Sequence, residues 1–139
     1  NIIDSDIKGI SFVSDLTGFF QEEGHFWMTA DGGDTWMDKG NNGHVTDVDQ
    51  ISFVDELTGY FQADGDFYKT TDGGDTWINK GSGHNIIDSD IKGISFVSDV
   101  TGFFQEEGHF WITTDGGDTW TDKGNNGHVT DVDQISFVN

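Results

Sequence analysis

The stretch "TADGGDTW" (Thr29–Trp36) decides how this chain is read, because it comes back twice, as "TTDGGDTW" at Thr70–Trp77 and again at Thr113–Trp120. Asp-Gly-Gly is turn chemistry. An Asp side chain accepts from nearby backbone N–H groups, and Gly supplies the positive φ of a tight hairpin. A Thr before the turn suits a strand edge, and the Trp after it can fold back into a core. The phrase therefore predicts one hairpin, closed the same way three times. Its first role is to fold the chain, and contact with a ligand is the less favoured reading.

Working outward, "ISFV" begins at Ile10, Ile51, Ile94 and Ile135, at spacings of 41, 43 and 41 residues. A longer period lies above this one. Residues 1–55 and 85–139 match except at Leu16/Val100, Met28/Ile112, Ala30/Thr114, Met37/Thr121 and Asp55/Asn139. The larger unit holds two unlike blocks, and the differences read as drift after a duplication.

Each block reads as four short strands. In the first, "GISFVS" alternates Ile10 and Phe12 on one face, "FFQ" follows a "DLTG" turn, and "HFWMTA" and "TWMDKG" flank the Asp-Gly-Gly turn. The middle block spells the same order with "QISFVD", "YFQ", "DFYKTT" and "TWINKG". No apolar stripe of helical period runs for two turns. In "HFWMTA", Phe26 and Met28 alternate with Trp27, so both faces are apolar, as a sheet stacked between two others requires. Four strands in about 42 residues is blade spacing. The expected fold is all-β, a β-propeller whose blades have four antiparallel strands. Blade 1 is expected at 1–43, blade 2 at 44–83 and blade 3 at 84–126. Residues 127–139 read as the first strand of a further, incomplete blade.

The repeated phrase fits S/T-x-D-x-G-x-T-W at Thr29, Asp31, Gly33, Thr35 and Trp36. It fits at Thr70, Asp72, Gly74, Thr76 and Trp77, and at Thr113, Asp115, Gly117, Thr119 and Trp120. This pattern resembles the Asp-box, or BNR repeat. With "ISFVDELTGYF" ahead of it, the whole block resembles the photosystem II assembly-factor-like (Ycf48-like) group of Asp-box propellers. The resemblance implies a propeller with the Asp-box between the third and fourth strands of each blade. It does not carry over a photosynthetic role, since the basic patch associated with that factor has no counterpart in a chain without Arg. Sialidases among Asp-box propellers clamp a carboxylate with three Arg, which excludes them here. Paired carboxylates could still cut glycosidic bonds, so a glycan-binding module or glycoside hydrolase fragment is the alternative. Against catalysis, nearly every Asp recurs block by block, whereas an active site is one asymmetric constellation. The chain is read as not an enzyme.

Charge narrows the partners. Asp and Glu number 26 against six Lys, for a net charge of −20. Such a surface repels nucleic acid and anionic membranes, and suits cations, basic partners or a salty extracellular medium. No window approaches the roughly 18 to 20 apolar residues of a membrane span, and no signal-peptide pattern opens the chain. Without Cys there is neither a disulfide nor a thiolate site. Calcium is the cofactor to consider, at the oxygen-rich runs Asp4–Asp6, Asp47–Asp49, Asp64–Asp66, Asp88–Asp90 and Asp131–Asp133, where the candidate ligands are Asp4, Asp6, Asp47, Asp49, Asp64, Asp66, Asp88, Asp90, Asp131 and Asp133. None has EF-hand spacing, and solvated loops are the simpler account. His44, His84 and His128 recur once per block and would be scattered around a ring. His25 and His109 align with Asp66. Trp27, Trp111 and Tyr68 align as well, and they could stack on sugars or fill the core.

Three blocks and one strand are too few to close a ring of four to eight blades. The opening "NIIDSDIKG" reads as the middle of something, which leaves open a mature product, an excerpt of a longer array or an engineered piece. The expectation is self-association into a ring or filament, with Ile135 and Phe137 as the assembly strand. A glycan or a protein is the ligand class left open.

Overall fold

A computed structural model describes residues 7–22, 24–40, 50–63, 66–81, 91–106 and 109–124. They form twelve strands and no helix. The first block gives β1 (Ile7–Phe12), β2 (Gly18–Glu22), β3 (His25–Thr29) and β4 (Met37–Gly40). The middle block gives β5 (Gln50–Phe53), β6 (Gly59–Ala63), β7 (Asp66–Thr70) and β8 (Ile78–Gly81). The third gives β9 (Ile91–Phe96), β10 (Gly102–Glu106), β11 (His109–Thr113) and β12 (Thr121–Asp122). Each set is its own antiparallel meander with strands in chain order. The fourth strands are shorter than their sequence suggests, because each Trp that precedes them belongs to the turn and folds inward.

Within a blade the hairpins follow from side chains at the turns. Ser14 Oγ accepts the Thr17 N–H at 3.0 Å, and in the middle block Asp55 Oδ1 accepts the Thr58 N–H at 2.6 Å, the local caps expected of Ser and Asp. The Phe that ends each first strand lies over a Gly on the second. A Cβ on Gly18 would come within 2.6 Å of the Phe12 ring, and one on Gly59 within 2.5 Å of Phe53. Only a residue without a side chain lets that ring lie flat.

The blades meet through their first strands, β1 against β5 and β5 against β9, so these are the inner strands. Gly9 forms a bulge in β1 at φ +62°, and a Cβ there would strike Ile51 Cγ2 at 2.4 Å. The inner strands are also stitched. Ser11 Oγ accepts the Phe53 N–H and Ser52 Oγ accepts the Phe96 N–H, each at 3.0 Å.

The core lies between blades. One cluster joins Phe19 and Phe26 of blade 1 to Ile51, Phe53 and Phe61 of blade 2. The next joins Tyr60 and Phe67 of blade 2 to Ile94, Phe96, Phe104 and Trp120 of blade 3. Each blade therefore has a leading face, carrying the Ile and Phe of its inner strand and the Trp of its turn. Its opposite, trailing face carries the first aromatic of its second strand and the Phe of its third. On blade 1 no other described blade packs on the leading face, and Ile10 and Phe12 are exposed. Less apolar surface is open there than the sequence suggests, because Trp36 folds back edge-on to Phe12 and Phe20, with Phe20 buried.

Candidate functional site

The three turns have one geometry. In blade 1 the Thr29 hydroxyl donates to Asp31 Oδ1 at 2.8 Å and accepts the Gly33 N–H at 2.9 Å. Asp31 also accepts the Thr35 N–H at 2.8 Å and the Thr35 hydroxyl at 2.5 Å. The same bonds link Thr70, Asp72, Gly74 and Thr76, and again Thr113, Asp115, Gly117 and Thr119. Trp77 packs against Phe26 of the preceding blade as well as Phe53 and Phe61 of its own, and Trp120 does the same with Phe67, Phe96 and Phe104.

The Asp and the first Thr of each turn serve different backbone donors. The amide that the Asp accepts belongs to an exposed Thr, so the Asp does not serve a buried donor. The buried amides are those of Gly74 and Gly117, and a Thr hydroxyl takes each of them.

These carboxylates are committed acceptors. The Thr35 hydroxyl, then the Thr35 amide and the Thr29 hydroxyl, hold Asp31 down to about 2 from 3.8. The Thr119 hydroxyl and amide hold Asp115 at about 2. At Asp72 burial works against ionisation, but the bonds from Thr76 outweigh it and the pKa is lowered. An acid kept ionised by its own turn has no proton to give near neutral pH.

Of the acidic runs only Asp66 falls among the described residues, and it accepts from Asn79 Nδ2 at 3.0 Å. Asp4, Asp6, Asp47, Asp49, Asp64, Asp88, Asp90, Asp131 and Asp133 lie outside them, as do the assembly residues Ile135 and Phe137 and the loop histidines. No group of three or more metal-ligating side chains stands together among the described residues. His25 pairs with Asp38 and His109 with Asp122, where the middle block pairs Asp66 with Asn79. The apparent swap at Asp66 is thus half of a paired exchange across the third and fourth strands. Asp122 is lowered, chiefly by the Gly124 amide it accepts. The candidate sugar platforms are partly covered, with Trp27 stacked on Phe20, Tyr68 on Phe61 and Trp111 on Phe104.

Two features escaped the sequence. Lys39 reaches Asp75 of blade 2 at 2.5 Å, and Lys80 reaches Asp118 of blade 3, so each fourth strand ties to the next turn. Between the inner strands opens a groove of about 480 Å³ whose described lining includes Ile10, Ser11, Gln50, Ser52, Ile94 and Ser95, with no Asp, Glu or His among the described residues that line it.

Inner-strand contacts, face-to-face packing and repeated turns together define consecutive blades of a β-propeller. Solved structures agree on the fold. A structure titled "YCF48 bound to D1 peptide" is 20% identical, with a TM-score of 0.71 over 86% of this chain and 41% of that one. YCF48 from Cyanidioschyzon merolae is 15% identical, with a TM-score of 0.69 over 88% of this chain and 42% of that one. An ancestral GH74 enzyme is 12% identical, with a TM-score of 0.59 over 86% of this chain and 18% of that one. The chain spans about two fifths of the length of the YCF48 structures. No family model matches it, and no curated protein matches it in sequence.

Proposed function

We propose that this chain is a non-catalytic structural and binding segment of an Asp-box propeller, joined to further blades of its own kind in a ring or filament. The observation that carries the reading is the leading face of blade 1, whose Ile10 and Phe12 lie exposed while the same residues in blades 2 and 3 are buried by the blade before them. Apolar surface built to be covered is an interface. Against chemistry stand the turn carboxylates, each spent on the Thr residues of its own turn. A glycoside-hydrolase reading has only the GH74 likeness in fold on its side.

A protein ligand belongs to the same proposal. The YCF48 structure that this chain resembles is titled as bound to a D1 peptide, and a net charge of −20 favours a basic peptide here. An extracellular, salt-rich setting is proposed on the same charge. Sedimentation at rising concentration tests the assembly. Self-association is expected, and Ile10→Asp with Phe12→Asp should abolish it. A wild-type chain that stays monomeric at high concentration with Phe12 in water overturns the reading. Turnover of an oligosaccharide would restore the enzyme alternative.

A further inference from the structure

The two junctions between the described blades are of different kinds. From blade 1 to blade 2, Phe19 stacks on Phe53 at 3.6 Å, with Met28 packed against the same cluster, and Thr17 Oγ1 donates to Glu56 Oε1 at 3.2 Å. From blade 2 to blade 3, Tyr60 takes the place of Phe19 and stacks on Phe96 at 3.5 Å. Its hydroxyl continues past the ring and donates to the backbone carbonyl of Asp99 at 2.5 Å. Lys69, standing where the outer blocks have Met28 and Ile112, donates Nζ to that same carbonyl at 3.2 Å and lies 5.4 Å over the Tyr60 ring. Tyr60 is fully buried, and that burial, reinforced by Asp99, pushes its pKa upward, so the phenol remains a donor. The clamp lies against the turn of blade 3. A Cβ on Gly116 would meet the Asp99 oxygen at 3.1 Å, Lys69 Nζ at 3.5 Å and the Tyr60 hydroxyl at 3.6 Å.

Blade 1 carries the same seat, with Ile10 and Phe12 exposed on it. Ile10, Phe12, Asp15, Gly32, Asp34 and Trp36 stand where blade 3 has Ile94, Phe96, Asp99, Gly116, Asp118 and Trp120. The Asp15 carbonyl lies 3.2 Å from where a Gly32 Cβ would be, and the Gly32 N–H bonds to the Leu16 carbonyl at 2.8 Å, as Gly116 bonds to Val100. We propose that the leading face of blade 1 is a seat for a block of the middle kind, one with Tyr at the Tyr60 position and Lys at the Lys69 position, whose hydroxyl and ammonium close on the Asp15 carbonyl. This rests on the assembly reading above and names the partner. A second outer block would cover the apolar residues but would bring Phe and Met or Ile to that carbonyl, so junctions between two outer blocks are disfavoured and the array alternates. The Lys that ties adjacent blades does not discriminate, since Lys39 and Lys80 both reach the next turn.

The test extends the full chain at its start in two ways. One version places a copy of residues 43–84 ahead of Asn1, so that Gly-His precedes Asn as it does at Asn85. The other places residues 87–128 there, a stretch of equal length that also ends in Gly-His. Amide exchange at Gly32 is read against Gly116 in the same molecule. The middle block should slow Gly32 to the rate of Gly116, by about tenfold or more, and the outer block by much less. Equal slowing by both overturns this proposal and leaves the assembly reading standing. Slowing by neither overturns both. In the unextended chain, Tyr60→Phe with Lys69→Met should speed Gly116 exchange about tenfold and leave Gly32 unmoved. An unchanged Gly116 rate overturns the clamp even if the extended chains fail to fold.

Discussion

Ile10 and Phe12 are 62% and 47% exposed, while Ile94 and Phe96, set in the same words of sequence in blade 3, are 6% and 5% exposed. The strand, the cross-strand Gly and the turn behind them are alike in the two blades. What differs is whether another blade stands in front. Burial here belongs to the junction, so a single blade has little core of its own and draws most of its stability from its neighbours, as repeat architectures do.

The largest expected effect tests that directly. Phe96→Ala removes a ring stacked on Tyr60 and edge-on to Trp120, and should cost about 3–5 kcal/mol in urea unfolding. Phe12→Ala touches only its own blade and should cost less than half as much. If the two losses are equal, Phe12 is covered in solution, and raising the protein concentration should then raise the cost further.

Next comes the Thr of the turn. In blade 3 the amide that the Thr113 hydroxyl takes, Gly117 N–H, is buried, while in blade 1 the matching bond from Gly33 is only partly so. Thr113→Val should cost about 1–3 kcal/mol by leaving that donor unpaired, and Thr29→Val should fall at or below the low end. Thermal melts of the two variants decide it. A reversed order would mean that the turn of blade 1 is sheltered by something other than a preceding blade.

Alternation in "GISFVS" and the turn chemistry of Asp-Gly-Gly made the four-stranded block readable, because both are local and act over a few residues. Two-faced apolar strands such as "HFWMTA" showed that blades must stack. Which face meets which could not be read, since Phe19 and Phe20 are neighbours in sequence and spelled alike, yet one serves the next blade and the other its own. Ser11 and Ser52 read as the polar half of an alternation, and only the approach of the next inner strand makes them acceptors. Nothing in the sequence marks Tyr60 and Lys69, because their shared acceptor, the Asp99 carbonyl, lies in another block. In the repeated phrase the Asp drew attention and the Thr held the buried bond. Hydroxyls carry no charge pattern to betray such a role.

The smallest effect is the one place where the covered and uncovered blades should agree. Asp31 and Asp115 are both held at about 2, in each case first by the hydroxyl and amide of the Thr four residues on, a group of the same turn. Unfolded Asp titrates near 3.9. A folded pKa below the unfolded one gives stability that is complete above about pH 4 and is lost as the pH falls from there towards 2. The window is the same in both blades, because the bonds that set it are internal to the turn. Asp31→Asn and Asp115→Asn should therefore flatten the acid limb of the stability curve by equal amounts. Both groups lie at the surface, so the change is small, and it is best measured as a difference between wild-type and variant melts at pH 4 and pH 2.5. A clearly larger flattening for Asp115→Asn would show that the blade in front alters the chemistry of the turn, and the separation drawn here between local turn and non-local junction would then fail.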